Sequence, residues 1–252
     1  MRHLSLVGIG AGDPDQVTVQ AIKALDAARV IFLITKVRET EDLVAVRREV
    51  LRRHVTGEHR VVELVDPPRG RSRDAHEGVV DDWRTRRAEQ WAAAIAAELG
   101  EDERGAFLVW GDPAIYDSTL GVVEQVLAAG TVAFDYDVIP GISAVQDLAA
   151  RPRTTLNQVG GTIRVTPGRR LAEQLAEPTA EDVVVMLDAE LAFADQDPDL
   201  ELFWGAYLGT PDELLIRGRL GDVADEVVRV RAAARERKGW MFDTYLLRRP
   251  RR

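Results

Sequence analysis

Three short stretches combine residue types suited to holding a small molecule: VGIGAGDPD at 7–15, WGDPAIYDST at 110–119 and IPGISA at 139–144. Each follows an apolar run, and glycine at such a corner permits positive φ and lets a ligand approach the main chain. Gly8, Gly10 and Gly12 form a GxGxG pattern, but Asp13 stands where the dinucleotide fingerprint GxGxxG has its third glycine. An acid there repels a pyrophosphate, which disfavours a nicotinamide-dependent oxidoreductase. The Gly-Lys-Ser/Thr step of a phosphate-binding P-loop does not follow either. The corners therefore fit a nucleoside without phosphates, ideally a cationic one, and S-adenosylmethionine meets both conditions. Asp112 and the carbonyls beside it can accept hydrogen bonds from ribose hydroxyls, with Pro113 holding the turn. The same aspartate is equally suited to a turn or a helix cap, and Ser143 to the N-cap of a following helix.

The elements that carry these corners are read from hydrophobic periodicity. Apolar runs at 3–9, 30–34, 60–65, 106–110 and 134–139 read as strands. Between them, segments after residue 18, at 40–53, at 81–99 and at 118–129 carry helical spacing, and a further helix follows PGIS. This β-α alternation predicts a mainly parallel sheet with helices on both faces. Beyond the polar stretch RPRTTLNQVGG strands dominate (TIRVT, DVVVMLD, LFWGAYL, ELLIRGRL, WMFDTYLLRR), with one long helix at 220–238. The expected division is an N-terminal α/β domain, residues 1–151, and a smaller α+β domain, 152–252.

Composition narrows the function classes. The 252 residues are 46% hydrophobic and 30% charged with net charge −9, so there is no global basic field for nucleic acid. The absence of cysteine excludes thiolate catalysis and zinc ribbons, and the four scattered histidines (His3, His54, His59, His76) show no metal-ligand spacing. No apolar stretch approaches the roughly 18 residues of a membrane span. A cytoplasmic protein without a resident metal is expected.

LVGIGAGDPDQVT, WGDPAIY and IPGIS together resemble the motifs of the tetrapyrrole (corrin/porphyrin) methyltransferases. The likeness extends through VVDDWRTRRAEQW, VVVMLDAE, FWGAYLGTPDELLIRGRL and GWMFDTYLLRR, to a branch that methylates C1 of precorrin-5 and releases acetate in cobalamin biosynthesis. The resemblance implies a two-domain homodimer with S-adenosylmethionine in the cleft between domains and S-adenosylhomocysteine as product. Carried over by motif, the cofactor contacts are Ala11, Trp110, Gly111, Asp112, Ile115, Ser143, Ala144, Met186, Tyr207, Leu208 and Thr244. Ala11 departs from the proline of many relatives. Acetate release calls for a general base or an oxyanion donor, with Asp13, Tyr116, Asp188, Glu190 and Asp243 as candidates. A carboxylate-rich substrate calls for local cations. Lys36 and Arg38 are the expected substrate-binding pair, with Arg69, Arg71, Arg73, Arg151 and Arg153 as further candidates. A family member acting on another corrin carbon or another substrate, or a non-catalytic tetrapyrrole-binding protein, is the alternative.

Overall fold

The computed structural model describes residues 1–35, 41–67 and 76–250. Internal contacts divide the chain into two units, Met1–Ile142 and Ser143–Arg252.

The first unit holds β1 (Arg2–Gly8), β2 (Val30–Thr35), β3 (Arg60–Val65), β4 (Arg104–Val109) and β5 (Phe134–Ile139) in the order β3-β2-β4-β1-β5. Every pairing is parallel. The crossovers run through α1 (Val19–Asp26), α2 (Glu41–His54), α3 (His76–Glu98) and α4 (Thr119–Ala129). The helix expected at 81–99 thus begins earlier, at His76. Parallel strands need such crossovers, which cover both faces of the sheet, so the strands are apolar on both sides. Alternation then sorts the residues into two cores. Leu4, Leu6, Phe32 and Phe107 pack with Trp91 and Ile95 of α3 and Val122 and Val126 of α4. Val7, Ile31, Leu33 and Leu108 pack with Leu25 of α1 and Val50 of α2 on the other face. Phe107 stacks between Phe32 and Trp91, with ring centroids 4.8 and 4.3 Å away.

The strand order has a consequence for function. β4 is inserted between β2 and β1, and the chain then crosses to β5 on the far side of β1. The carboxyl ends of β4, β1 and β5 are therefore neighbours, and in open α/β sheets that edge is where ligands bind. Each of the three glycine corners begins at one of these ends.

The second unit contains β6 (Ile163–Pro167), β7 (Asp182–Met186), β8 (Glu201–Ala206), β9 (Leu214–Arg219) and β10 (Asp243–Arg248), ordered β6-β7-β10-β8-β9. β6 and β7 are parallel and the remaining pairs antiparallel. Three helices accompany the sheet: α5 (Ala144–Ala150), α6 (Leu171–Ala176) and α7 (Leu220–Lys238). α6 supplies the crossover between β6 and β7; at six residues it is too short to show helical periodicity in the sequence. One face of the sheet, with Val183, Val185, Trp204 and Tyr245, packs on Leu220, Val227 and Ala234 of α7. α5 packs against β8 and β10, which is why the contact division falls at Ile142/Ser143 rather than at the expected 151/152. Gly205 leaves room there, since a Cβ on it would lie 3.1 Å from Leu148 of α5 and 2.7 Å from Leu208.

Candidate functional site

The three corners meet main chain to main chain. The Gly10 and Gly111 amides each donate to the other's carbonyl, at 3.3 and 2.8 Å, so the loops after β1 and β4 form a small antiparallel bridge. A Cβ on Gly8 would stand 2.5 Å from the Gly141 nitrogen, and one on Gly141 would stand 2.2 Å from the Gly111 oxygen. Gly10 has φ 87° and Gly111 φ 67°, in the left-handed region. Glycine is needed here for approach at Gly8 and Gly141, and for conformation at Gly10 and Gly111. The cofactor contacts expected in the first unit fall at this convergence: Ala11 is buried, and Trp110, Asp112 and Ile115 are half-buried.

Asp112 does more than end a strand. Its Oδ1 accepts from the Ala114 amide at 2.8 Å, closing its own turn, and its Oδ2 accepts from the Gly141 amide at 2.9 Å. The carboxylate thus ties the second corner to the third. A ribose hydroxyl would have to share oxygens that already hold the main chain. Ser143 caps α5: its Oγ accepts from the Val145 amide at 3.2 Å, while Gln146 Oε1 accepts from the Ser143 amide at 3.1 Å. Its hydroxyl also donates to Gln146. Asp13 caps the short 3-10 turn Pro14–Gln16, accepting from the Asp15 amide at 2.9 Å. Tyr116 lies at the second corner with φ 51° and its residue 46% exposed.

In the second unit, the strand register brings together one row of the sheet. Thr244 pairs with Met186 on one side and with Gly205 on the other. Just beyond this row, Leu187 (φ 55°) and Tyr207 (φ 51°) both hold the left-handed conformation that side chains avoid. Two such residues at one sheet edge mark a strained rim, and such strain gathers at ligand sites. Nothing in the amino-acid pattern announces it, because neither residue is glycine or asparagine. Tyr207 keeps its side chain in the core: its hydroxyl donates to the Trp240 carbonyl at 2.7 Å, and burial holds its pKa above the ordinary value. Thr244 is equally committed, its Oγ1 donating to the Val185 carbonyl at 2.8 Å. At both positions the side-chain hydroxyl is thus already committed within the unit.

Asp188 and Asp243 belong to a buried network. Asp188 accepts from the Tyr245 hydroxyl at 2.7 Å and from the amides of Glu190 and Ala192 at 3.1 and 2.8 Å. Asp243 accepts from Trp204 Nε1 at 3.0 Å and Arg231 Nε at 2.8 Å, and Arg231 also donates to the Asp188 carbonyl at 2.8 Å. Burial, then the Asp188 charge, drives the Tyr245 pKa far above its ordinary value. These two carboxylates tie β10 to its neighbours, and both are already engaged by several donors.

Among the expected cations, Lys36, Arg38, Arg69, Arg71 and Arg73 lie outside the described residues. Arg151 is half-buried and its Nε faces Glu213 at 2.9 Å and Asp147 at 3.4 Å. Arg153 is exposed, with φ 58°. Two arginines that the sequence does not single out lie near the second corner instead. Arg87 pairs with Asp66 at 3.0 Å and donates to Ser118 Oγ at 2.7 Å, and Arg47 stands over the Trp110 ring at 5.9 Å. In the sequence both look like further charges on polar helices, and only packing distinguishes them.

A parallel sheet whose switch point carries three interlocked glycine corners is the kind of strand-end site at which α/β enzymes bind their ligands. The chain belongs to the tetrapyrrole (corrin/porphyrin) methylases, whose family model matches residues 3–224. It is 49% identical to precorrin-6A synthase (deacetylating) of Sinorhizobium sp over 250 residues, covering 98% of this chain and 95% of that protein. Among solved structures, the cobalamin synthesis related protein CobF of Corynebacterium diphtheriae is 34% identical with TM-score 0.86, over 98% of each chain. Uroporphyrin-III C-methyltransferase of Thermus thermophilus, solved with S-adenyl homocysteine, shares the fold at TM-score 0.58 and 21% identity, over 97% of this chain and 96% of that one. The family resemblance read from the corner motifs and the α/β fold class are both borne out. The chain is a methyltransferase.

Proposed function

We propose that this chain transfers a methyl group from S-adenosylmethionine to C1 of precorrin-5 and releases acetate, yielding precorrin-6A and S-adenosylhomocysteine. The observation that carries this reading is the 49% identity to a deacetylating precorrin-6A synthase across 98% of this chain and 95% of the relative. The corners fit the cofactor chemically. They contain no lysine or arginine, they present main-chain donors and acceptors around Gly10–Gly12 and Trp110–Asp112, and the carboxylates within them are compatible with a sulfonium but not with a pyrophosphate. Ala11, Trp110, Gly111, Asp112 and Ile115 would hold the nucleoside, with Ser143, Ala144, Met186, Tyr207, Leu208 and Thr244 as the second unit's contribution.

S-adenosylmethionine supplies an electrophilic methyl group, and the protein's part is alignment with the ring carbon and exclusion of water. A strong base is not required for that step, since the electron-rich ring system is itself the nucleophile. Acetate release is a separate demand: water adds to the acetyl carbonyl, the bond to the ring breaks, and the oxyanion must be stabilised. Asp188 and Asp243 are engaged in the fold, Asp13 caps a turn and Glu190 is exposed just after Asp188, its amide bonded to that carboxylate; Tyr116, at the second corner, is the residue we assign to that carbonyl. Its exposure and strained backbone at the second corner support the choice. The Tyr116→Phe variant is expected to keep methyl transfer while slowing acetate release at least tenfold. Equal slowing of both would remove Tyr116 from the deacetylation.

The test of the function is calorimetric titration with S-adenosylhomocysteine beside NAD, followed by incubation of precorrin-5 with methyl-labelled S-adenosylmethionine. Binding of S-adenosylhomocysteine but not NAD, one methyl gained at C1 and one acetate released are the expected results. Methyl gain at another ring carbon would move the chain to a different branch of the family, and NAD binding alone would overturn the reading. A homodimer is part of the proposal, checked by the molar mass in solution. Among the described residues no helix is long and apolar enough to cross a membrane.

A further inference from the structure

Arg47 lies on α2 with its guanidinium carbon 5.9 Å from the centroid of the Trp110 ring, beside the second glycine corner. Its Nη1 donates to the Leu43 carbonyl one turn back, at 3.2 Å. Its Nε is buried and, among the described residues, has no hydrogen-bond partner. Arg87, close by on α3, is the instructive contrast. Its Nε forms an ion pair with Asp66 at 3.0 Å, its Nη1 donates to Ser118 Oγ at 2.7 Å and the rings of Trp83 and Trp91 each lie at 4.9 Å, so a carboxylate already faces its charge. Asp117 acts on both arginines at longer range, but its Oδ1 accepts from the Thr119 amide at 2.6 Å. Burial, opposed by Asp117 and reinforced by Arg87, brings the Arg47 pKa down to about 10, so it remains a cation at neutral pH.

Arg47 is half-buried as a residue, but a cation whose Nε is buried and, among the described residues, lacks an acceptor is costly unless an anion completes it. The position, at the edge of the sheet where β4 delivers Trp110, is where such an anion would arrive with a ligand. We propose that Arg47 is a carboxylate anchor, its Nε edge beside Trp110 taking a side-arm carboxylate of the tetrapyrrole and so fixing which part of the ring system faces the second corner. This rests on the tetrapyrrole reading of the same site. A second source of the same chemistry is the amino-acid tail of the methyl donor, and the experiment separates the two.

Wild type, Arg47→Met and Arg47→Lys are titrated with uroporphyrin III, with its octamethyl ester, with S-adenosylhomocysteine and with methylthioadenosine, which lacks the amino-acid tail. The expected result is a loss of about 10- to 100-fold in uroporphyrin affinity for Arg47→Met, the scale of a hydrogen-bonded charge. The ester and both nucleosides should be unaffected. Arg47→Lys should fall between, because lysine keeps the charge but not the planar fork. The Arg47→Met melting temperature should not fall, since removing an incompletely paired buried charge relieves the fold.

Loss confined to S-adenosylhomocysteine, with methylthioadenosine retained, would reassign the anchor to the donor's tail and overturn the substrate assignment. Uroporphyrin binding that Arg47→Met leaves intact overturns the anchor alone. Absence of uroporphyrin binding to wild type overturns it together with the tetrapyrrole reading beneath it. A lower melting temperature with parallel loss of all ligands would make Arg47 a structural residue and sink the proposal.

Discussion

Replacing Asp112 by alanine separates two roles that the sequence leaves open, a ribose acceptor and a brace between loops. In the structure its two oxygens accept from Ala114 N at 2.8 Å and Gly141 N at 2.9 Å. A hydrogen bond to a charged group contributes about 1.5–3 kcal/mol net when buried, and less at a half-buried site such as this one. We therefore expect the pair to contribute about 2–3 kcal/mol, because the part-buried Gly141 amide donates to Asp112 whereas the exposed Ala114 amide can turn to water. For a chain of this size each kcal/mol shifts the melting temperature by about 2–4 °C, so Asp112→Ala should melt about 5–10 °C lower. S-adenosylhomocysteine affinity should fall with it, because the third corner is no longer tied to the second. Asp112→Asn, which keeps one acceptor, should show about half of the thermal loss. Differential scanning calorimetry with and without ligand reads both quantities. An unchanged melting temperature accompanied by lost ligand binding would refute the brace and return the carboxylate to direct contact with the ribose.

Gly141→Ala should be more severe than an ordinary glycine substitution. The added Cβ would meet the Gly111 oxygen at 2.2 Å and the Gly8 carbonyl carbon at 2.8 Å, both main-chain atoms that cannot rotate away. A loss of about 3 kcal/mol, the upper end for overpacking, is expected in urea denaturation; a loss under about 1 kcal/mol would mean that the corners are not in contact. The Tyr245 hydroxyl, whose folded pKa is raised by burial and by Asp188, should remain protonated where exposed tyrosines ionise. Its contribution to stability is complete below the unfolded tyrosine pKa of about 10 and is lost as pH rises above it. Stability should decline from about pH 10 upward, less steeply in Tyr245→Phe; a Tyr245 that ionises near its ordinary pKa in the folded protein would contradict the network.

The apolar runs and the three glycine corners determine, by themselves, a parallel α/β unit followed by a strand-rich one, and Asp13 within GAGDPD departs from the dinucleotide fingerprint. These readings succeed because period, turn chemistry and the sign of a charge are local properties. What they leave undecided is partnership. Asp112 reads equally as ribose acceptor or turn residue, and only the strand order placing β5 beside β1 brings the Gly141 amide to its second oxygen. Asp188 and Asp243 look like proton-transfer groups until Tyr245, Trp204 and Arg231 are seen to occupy them. Arg47 is one arginine among several on a charged helix, and it becomes notable only because packing buries its Nε beside Trp110 with no acceptor among the described residues. Chemistry at this site depends on which groups are already satisfied, and satisfaction is set by contacts between segments far apart in the chain.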